Sequence, residues 1–445
     1  MNKEKKINRK NIILLTIDCL RADHLHHLGY KKNTSPTFDW LAKEGITFSK
    51  AYSNAPYTNY SVPSFLTSRI PPIGKDFRET ITTVLKKYGY SAASFNPNPI
   101  VLDPKLTAGG RIDKGFDVFD LMLSTRKKLG IGIQVMRQWR MKDIRQNLNK
   151  EGYLYKTIFS IYDKMIKTFP TALCPKDHLI IPKAEEINKK ALEWIKKQEG
   201  HFFLWIHYMD VHEPYAAPDY PDKKEMLYLM TKYRDFPNML SKDEIKKLMN
   251  LYDLCIKYVD SCIHDMIEEL KEMNIFDNCA IIVSADHGDA FAEHDGALGH
   301  GGKFVEQLYE EAINVPFIVY GDKRKDVKTD KLIHLLDLAP TICDIADIPP
   351  QPYFLGKSVF GPSENKGIVI NAIAAIAYRT EKHKLIINKQ GKKGTELYDL
   401  IKDPKETDNI YNKNKELATK LESEMVSILS NYKRRQKLID FKVKT

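Results

Sequence analysis

Short apolar runs alternate with longer amphipathic stretches along most of the 445-residue chain. Runs rich in β-branched and aromatic residues predict strands, and apolar positions three or four residues apart predict helices between them. The predicted strands are 11–17, 47–52, 91–95, 202–207, 280–284 and 315–320. The predicted helices include 36–43, 80–87, 184–198, 243–273, 330–346 and 413–430. This alternation indicates an α/β fold, in which a large sheet carries helices on both faces.

Two parts of the chain depart from this alternation. Residues 122–182 carry a basic stretch followed by aromatic residues, and we interpret them as an inserted helical lid or specificity region, or as a solvated helical hairpin. Short strands at 368–387 and 396–400 precede the last helix. We therefore predict a catalytic domain at 1–355, which contains the insertion, and a smaller C-terminal subdomain at 356–445 that ends in a basic tail.

Charge is concentrated at the two ends of the chain. The formal net charge is +11, and the first ten and last thirteen residues carry +4 and +5 of it, so the body is close to neutral. Basic tails can contact nucleic acid or anionic lipid, but most are solvated ends, so we expect no specific nucleic-acid partner.

Composition also bounds the location of the protein. With 43% hydrophobic residues the chain is globular, and no apolar run approaches the about 20 residues of a transmembrane helix. The run at 11–17 follows basic residues as in a signal peptide, but it is short and ends at Asp18, so we interpret it as a buried strand. The six cysteines lack the spacing of zinc or redox motifs, which favours a reducing, cytoplasmic location.

Side chains that can bind a metal lie at the ends of three predicted strands. They are Asp18 after 11–17, His207, Asp210 and His212 around the end of 202–207, and Asp286 and His287 after 280–284. Because α/β sheets bind ligands at the carboxyl ends of their strands, these side chains predict a metal site. Taken singly, a strand-end aspartate can be only a helix cap and a lone histidine can be structural.

These positions lie within segments that resemble the motifs of the sulfatase family, which belongs to the alkaline phosphatase superfamily. The segments are 11–24 (NIILLTIDCLRADH), 35–48, 51–56, 58–68 (TNYSVPSFLTS), 284–303, 309–316, 334–341 and 396–406. They run in order from about residue 11 to 410, and only the tails and 122–182 lack a counterpart. The resemblance implies an alkaline-phosphatase-like fold, with a large mixed, mainly parallel sheet between helices and a small C-terminal α+β subdomain.

The chemistry of a sulfate or phosphate ester explains why such residues are needed. A divalent cation neutralises ester oxygens and lowers the pKa of the nucleophile. Asp18, Asp286 and His287 suit the ligand role, and two carboxylates with one imidazole favour calcium, magnesium or manganese, with zinc as an alternative. The resemblance places Cys19 where the family has a second metal-binding aspartate. A Cys19 thiolate ligand would favour zinc or manganese, and a non-ligating thiol would leave three protein ligands and the nucleophile.

The nucleophile depends on how the family's Cys/Ser-x-Pro-Ser-Arg turn is aligned. Alignment on 65–68 places Thr58 at the nucleophile, and alignment on Pro63 and Ser64 places Ser61 there. Sulfatases convert a Cys or Ser at this position to formylglycine, which is open to Ser61 and impossible for Thr58. An unmodified hydroxyl would need activation by a metal or a base.

Four further residues are candidates for the ester and its leaving group. His212 and His300 can hold the ester or protonate the leaving oxygen, and Lys303 and Arg21 can supply fixed positive charge. Arg21 could instead pair with a core carboxylate near the turn. His207 and His294 suit structural roles.

The resemblance thus implies a metal-dependent hydrolase of sulfate esters, with Thr58 or Ser61 as the nucleophile. The substrate would be a sulfate or phosphate ester, and a glycan ester is one option. The alternative is a phosphodiesterase or phosphoryl-group transferase that uses unmodified Thr58. It is supported by His287, which stands where typical sulfatases carry asparagine, by Cys19, and by Val62 or Phe65 at the position of the motif arginine. A third hypothesis is a binding relative that has lost catalysis.

Overall fold

The computed structural model describes most of the chain. The described residues are 9–71, 79–102, 111–122, 153–169, 181–294, 298–299, 308–322, 324, 327–362, 365–389 and 394–442. The strands are β1 (Asn11–Ile17), β2 (Ile46–Thr47), β3 (Ala51–Tyr52), β4 (Ser91–Phe95), β5 (Val118–Asp120), β6 (Phe202–Tyr208), β7 (Cys279–Ala285), β8 (Phe317–Tyr320), β9 (Ile333–His334), β10 (Gly367–Asn371), β11 (Ala375–Thr380), β12 (His383–Asn388) and β13 (Glu396–Asp399). The α-helices are α1 (Pro36–Glu44), α2 (Thr58–Thr67), α3 (Ile81–Lys87), α4 (Tyr153–Thr168), α5 (Ala184–Ile195), α6 (Lys223–Asp235), α7 (Lys242–Glu272), α8 (Glu310–Ile313), α9 (Leu338–Ile345) and α10 (Lys415–Lys442).

Within the described ranges, seven strands form the large sheet, in the order β2-β8-β7-β1-β6-β4-β5. The five strands β7, β1, β6, β4 and β5 run parallel to one another. Strand β8 is antiparallel to both of its neighbours, β7 and β2. Every residue of β1, β6 and β7 is buried. Because successive side chains of a strand point to opposite faces, both faces of the sheet are covered. The predicted mixed, mainly parallel sheet between helices is confirmed.

The register of the three central strands brings their carboxyl ends together. Thr16, near the end of β1, is opposite His207 of β6 on one side and Ser284 of β7 on the other. The apolar composition of β1 suits this central place, since a strand covered on both faces has no solvent side. The residues that follow β1 and β7 therefore leave the sheet next to each other.

The C-terminal part forms a second, smaller layer. Strands β10 to β13 make a four-stranded antiparallel sheet in chain order. Val369, Tyr378 and Leu385 on one face pack against the apolar side of α10. The other face packs against the catalytic body, where Tyr52 and Leu308 join its core. This is the predicted small C-terminal subdomain, and its exact boundary at 355 stays a prediction.

Two of the differences from the predicted elements change the strand assignment, and the last helix also extends to Lys442 instead of residue 430. The predicted strand 47–52 is divided into β2 and β3, because β2 pairs with β8 and β3 pairs with β9. The predicted helix 330–346 begins only at Leu338, because Ile333–His334 forms β9. Of the insertion 122–182, α4 is described as a helix, and most of the remainder lies outside the described residues. Among the described helices, none is both long and apolar enough to cross a membrane.

Candidate active site

Three neighbouring strands of the large sheet bring polar side chains to one place. Asp18 follows β1, Asp286 and His287 follow β7, and His207 lies near the end of β6. All four are fully buried. The carboxyl ends of parallel strands meet at one edge of the sheet, which is where α/β sheets bind ligands. The structure therefore gathers the metal-ligand candidates that the strand ends predicted.

Thr58 is the first residue of α2, and its hydroxyl lies within this group. The Oγ1 atom is 3.2 Å from His287 Nε2 and 3.4 Å from Asp18 Oδ2. His287 Nδ1 is 2.8 Å from the carbonyl oxygen of Gly288. A carbonyl can only accept, so Nδ1 carries a hydrogen, and in the neutral ring Nε2 presents its lone pair to Thr58. The threonine hydroxyl thus has two acceptors within reach for its proton.

Ser61 lies one turn further along α2 and has different contacts. Its hydroxyl donates to the carbonyl oxygen of Asp286 at 2.6 Å and accepts from Ser53 Oγ at 3.1 Å. The side chain is fully buried. These bonds hold Ser61 against the backbone of the turn after β7. Of the two candidate nucleophiles, the structure brings Thr58 to the carboxylate of Asp18.

Asp18 is the most connected of the four strand-end residues. Its Oδ2 accepts a hydrogen bond from Asn98 Nδ2 at 3.0 Å and lies 3.2 Å from His207 Nε2. Burial by itself raises the pKa of Asp18, but neighbouring imidazoles outweigh it and hold that pKa well below its usual value. These imidazoles belong to His212, His207 and His287. Asp18 is therefore ionised at neutral pH, in the form that binds a cation.

The carboxylate of Asp286 is only partly satisfied by the protein. Its Oδ1 accepts from the backbone N–H of His287 at 2.9 Å and of Cys19 at 3.4 Å. Its Oδ2 is buried and has no hydrogen-bond partner among the residues that the structure describes. A buried carboxylate oxygen without a partner is unfavourable unless a cation or a hydrogen-bond donor compensates it. The donor set around Asp18 and Asp286 therefore fits a divalent cation.

Cys19 lies beside this group in a left-handed backbone conformation, with a φ of 65°. Its thiol donates to Asp18 Oδ1 at 3.2 Å, and ligand atoms of Cys19, Asp18 and His212 lie within 4.8 Å of one another. Cys19 forms a second such group with Glu213 and Asp289. Burial, and then the surrounding carboxylates, raise the pKa of the thiol well above its usual value. Without a cation Cys19 is thus a neutral thiol, and coordination would deprotonate it.

The remaining predicted catalytic residues do not all lie beside Thr58. His212 lies at the edge of the group with its side chain 19% exposed, and its Nδ1 is 2.6 Å from the Glu213 carbonyl oxygen. The structure does not bring Arg21 to Thr58. Its guanidinium pairs with Asp23 at 2.8 Å and with Glu293 at 2.5 Å, and both of these carboxylates are solvent-exposed rather than in the core. His300 and Lys303 lie outside the described residues.

Of two further residues in contact with Asp18, Asn98 was not predicted and His207 was one of the strand-end candidates only. Asn98 follows β4 in the sequence Asn96-Pro97-Asn98-Pro99, and a polar amide directly after a buried strand is the signal that could have indicated it. His207 was interpreted as structural, yet its Nε2 faces Asp18 and its Nδ1 lies 2.8 Å from Thr16 Oγ1. Such paired contacts fix the ring, as they do for side chains that orient a metal ligand.

Comparisons with known proteins identify the family and the fold. The family model described as Sulfatase matches residues 10–348. Arylsulfatase K of Homo sapiens is 22% identical, over 94% of this chain and 82% of that protein. The crystal structure of the phosphonate monoester hydrolase of Agrobacterium radiobacter superposes with a TM-score of 0.67 at 16% identity, over 95% of this chain and 96% of that one.

A further solved structure, described as a complex with its substrate D-glucosamine-2-N,6-O-disulfate, superposes with a TM-score of 0.64 at 17% identity, over 96% of this chain and 98% of that one. At such identities the two superpositions show the fold, and the family model, which matches more than half of the chain, shows the family. The chain therefore belongs to the sulfatase family and is an enzyme of the sulfuric ester hydrolase type.

Proposed function

We propose that this enzyme hydrolyses sulfate esters with the unmodified hydroxyl of Thr58 as nucleophile and one divalent cation as cofactor. The observation that carries the proposal is the position of Thr58 Oγ1, 3.4 Å from Asp18 Oδ2 and 3.2 Å from His287 Nε2. Asp18, Asp286 and His287 would hold the cation, and Cys19 would join them as a thiolate. A bound cation would neutralise ester oxygens and lower the pKa of the hydroxyl.

The residues of the chain then divide the remaining tasks. Asp18 Oδ2 accepts the hydroxyl proton as Thr58 Oγ1 forms a bond to sulfur. The bond from sulfur to the leaving oxygen breaks, and His212 at the edge of the site returns a proton to that oxygen. Water then hydrolyses the Thr58 sulfate ester and regenerates the hydroxyl. Because Thr58 begins α2, the amide groups at the helix N-terminus also favour the developing negative charge.

The proposed identity of the cation follows from the ligand types. Two carboxylates and one imidazole suit calcium, magnesium or manganese, and a Cys19 thiolate moves the preference toward manganese or zinc. Formylglycine at Ser61 is the less favoured alternative, because the Ser61 hydroxyl is buried and bonded to the Asp286 carbonyl. His300 and Lys303 keep their proposed roles in binding the ester and protonating the leaving group.

A phosphodiesterase or phosphonate monoester hydrolase activity is the second candidate. It is supported by the unmodified hydroxyl beside the Asp286–His287 pair, and by the structural similarity to a phosphonate monoester hydrolase. The two candidates share the site and differ in the ester. Steady-state kcat/KM for 4-nitrophenyl sulfate, an aryl phosphodiester and an aryl phosphonate monoester, each with manganese and with zinc, separates them. Turnover of none of these esters would favour the inactive binding relative.

We also propose the substrate class and location. A sulfated glycan is the proposed substrate, because a structure with the same fold holds a glucosamine disulfate. The described cysteines, Cys19, Cys255, Cys262, Cys279 and Cys343, are free and buried, which supports a reducing compartment such as the cytoplasm. Release of inorganic sulfate from sulfated glucosamine, measured by ion chromatography, tests the substrate class, and no release above an enzyme-free control would reject it.

A further inference from the structure

His294 lies where the segment after β7 meets the C-terminal subdomain. Its Nδ1 is 2.7 Å from Glu311 Oε1. Its Nε2 is 3.0 Å from the carbonyl oxygen of Lys405 and 3.2 Å from that of Glu406. The ring stacks on Tyr309, with centroids 3.7 Å apart and planes at 7°. The imidazole thus joins three elements of the molecule, namely its own segment, α8 and the loop after β13.

Both ring nitrogens of His294 face oxygens that can only accept hydrogen bonds. A carboxylate and a backbone carbonyl have no hydrogen to donate, so each nitrogen must carry one, and the ring is an imidazolium. A neutral ring would turn a lone pair toward Glu311 or toward the carbonyls. Burial by itself lowers the pKa of His294, but the hydrogen bond and charge of Glu311, together with Glu406 and the Lys405 carbonyl, outweigh it and raise that pKa.

The partner of His294 on α8 also holds the turn that carries His287. The backbone N–H of Asp289 donates to the Glu311 carbonyl at 3.1 Å, and that of Gly288 donates to the Ala312 carbonyl at 2.9 Å. A Cβ atom at Gly288 would lie 2.0 Å from the Glu311 carbonyl oxygen, so the two backbones approach as closely as glycine allows. A shift of α8 would therefore move the residues next to His287.

Residues of the C-terminal subdomain also contact α8 through Glu310. Glu406 accepts from the backbone N–H of Glu310 at 2.7 Å, and Lys384 pairs with Glu406 at 2.7 Å and with Glu310 at 2.9 Å. The charged groups around His294 are thus Glu310, Glu311, Glu406 and Lys384. Tyr309 stays neutral because burial and Glu396 raise its pKa, and Glu293, next to His294 in sequence, is paired with Arg21.

We propose that the imidazolium of His294 is a positioning residue, which holds α8 and the turn of His287 against the C-terminal subdomain. Its effect on turnover rests on the proposed function. Because the pKa in the folded protein is raised above the value of about 6.5 for free histidine, the stabilisation is fully present below that pH. It is lost as the pH rises through the folded pKa of His294. The contact to Glu311 or to the carbonyls then breaks, and the turn of His287 loosens.

The first experiment needs no enzymatic activity. Histidine ring signals of the full-length protein are titrated by NMR, and the His294 signal is assigned by its absence from the His294→Gln variant. We expect a pKa above the about 6.5 of free histidine. Amide exchange of peptides 286–294 and 308–314, corrected for intrinsic rates, should rise about tenfold or more across that titration. A His294 pKa at or below that of free histidine, or exchange that does not change, would overturn the proposal.

The second experiment separates positioning from mere structure by kinetics. In the wild type, kcat should fall above the His294 pKa with KM nearly unchanged. The variant His294→Arg keeps a charge that can donate to both partners, so this alkaline decline should disappear. His294→Gln should lower kcat about tenfold below the His294 pKa and approach the wild type above it. The matched control His27→Gln, which removes another histidine–carboxylate contact, with Asp39 at 3.1 Å, should behave as the wild type.

The two hypotheses can fail separately. If no ester is turned over, the proposed function fails, while the NMR titration and the amide exchange still decide the role of His294. If turnover is observed and its alkaline decline persists unchanged in His294→Arg, the positioning role is rejected and the proposed function stands. Burial raises the pKa of Glu406 to about 7, so the comparison of His294→Arg with wild type is needed to assign the decline.

Discussion

Two buried groups of charged side chains in this enzyme differ in how their carboxylates are compensated. In the group around Lys384, which is fully buried, Glu310 and Glu406 each face the ammonium, at 2.9 and 2.7 Å. In the strand-end group, Asp286 Oδ2 has no hydrogen-bond partner among the described residues. Burying charge is unfavourable unless a partner compensates it. In the first group the ammonium of Lys384 compensates both carboxylates as an ion pair. In the second, the proposed cation would compensate Asp286 Oδ2.

The comparison also explains where the reactive hydroxyl lies. Thr58 contacts the incompletely paired group through Asp18 and His287, whereas Ser61 is bonded to backbone. A nucleophile gains from a neighbouring base and cation only if its own hydrogen bonds leave it directed at them. Variants that alter one group and leave the other intact therefore separate the roles of the two groups.

Replacement of the nucleophile should have the largest effect. We expect Thr58→Ala to lower kcat about 10⁴-fold or more, as for other nucleophile deletions, because no other hydroxyl in the structure contacts both Asp18 and His287 among the described residues. Thr58→Ser should retain much of the activity. Kinetics with the preferred aryl ester measure both. If Ser61→Ala abolished turnover while Thr58→Ala did not, the other sequence alignment would be correct.

Breaking the structural ion cluster should reduce stability and leave cation binding unchanged. Lys384→Met removes the ammonium between two buried carboxylates, and we expect a loss of about 3–5 kcal/mol in the free energy of unfolding. Urea denaturation at neutral pH measures it. Lys246→Met, in an exposed pair with Asp243 at 3.8 Å, is the matched control and should be neutral. A Lys384→Met protein as stable as the control would show that the cluster is not structural.

Removing the cation should destabilise the wild type through the strand-end group. At a cation concentration of about 100 times its Kd, binding stabilises the folded state by about 2.7 kcal/mol. The thermal midpoint should therefore fall on chelation and recover when manganese or zinc is added. In Asp286→Asn this response should disappear, and in Glu406→Gln it should remain. A response that survives in Asp286→Asn would place the cation elsewhere.

Replacement of the Cys19 thiol should change which cation is preferred, and this effect should be smaller than that of removing the cation. Cys19→Asp replaces a soft ligand with a hard one, so we expect the preference for zinc over magnesium to fall about tenfold or more. Cobalt(II) titration provides a direct signal, because a thiolate–cobalt absorption band should form in the wild type and be absent in Cys19→Asp. If the wild type shows no such band, Cys19 does not ligate the cation.

The sequence predicted those parts of the fold and site that follow from local pattern. The buried strands β1 and β7 are uniformly apolar, so their ends, and with them Asp18, Asp286 and His287, could be located. Asn98 was missed because its contact with Asp18 depends on where β4 lies in the sheet, which no local pattern specifies.

Two further features could not be predicted from the sequence, for physical reasons. Thr58 and Ser61 are both hydroxyls on one helical turn, so only the orientation of α2 separates them. Lys384 lies in an ordinary β-strand, and its burial comes from contacts with Glu310 and Glu406, of which Glu310 is 74 residues away. Long-range ion pairs of this kind leave no periodic signal in the sequence.

The most direct test of the proposed chemistry is rapid-quench mass spectrometry of the tryptic peptide 51–69 during turnover of an aryl sulfate. This peptide contains both Thr58 and Ser61, and electron-transfer fragmentation assigns a modification to one of them. We expect one sulfo group on Thr58, which forms with the burst of phenol and disappears when the substrate is exhausted. A sulfo group or formylglycine at Ser61, or turnover with an unmodified peptide, would contradict the assignment of Thr58 as the nucleophile.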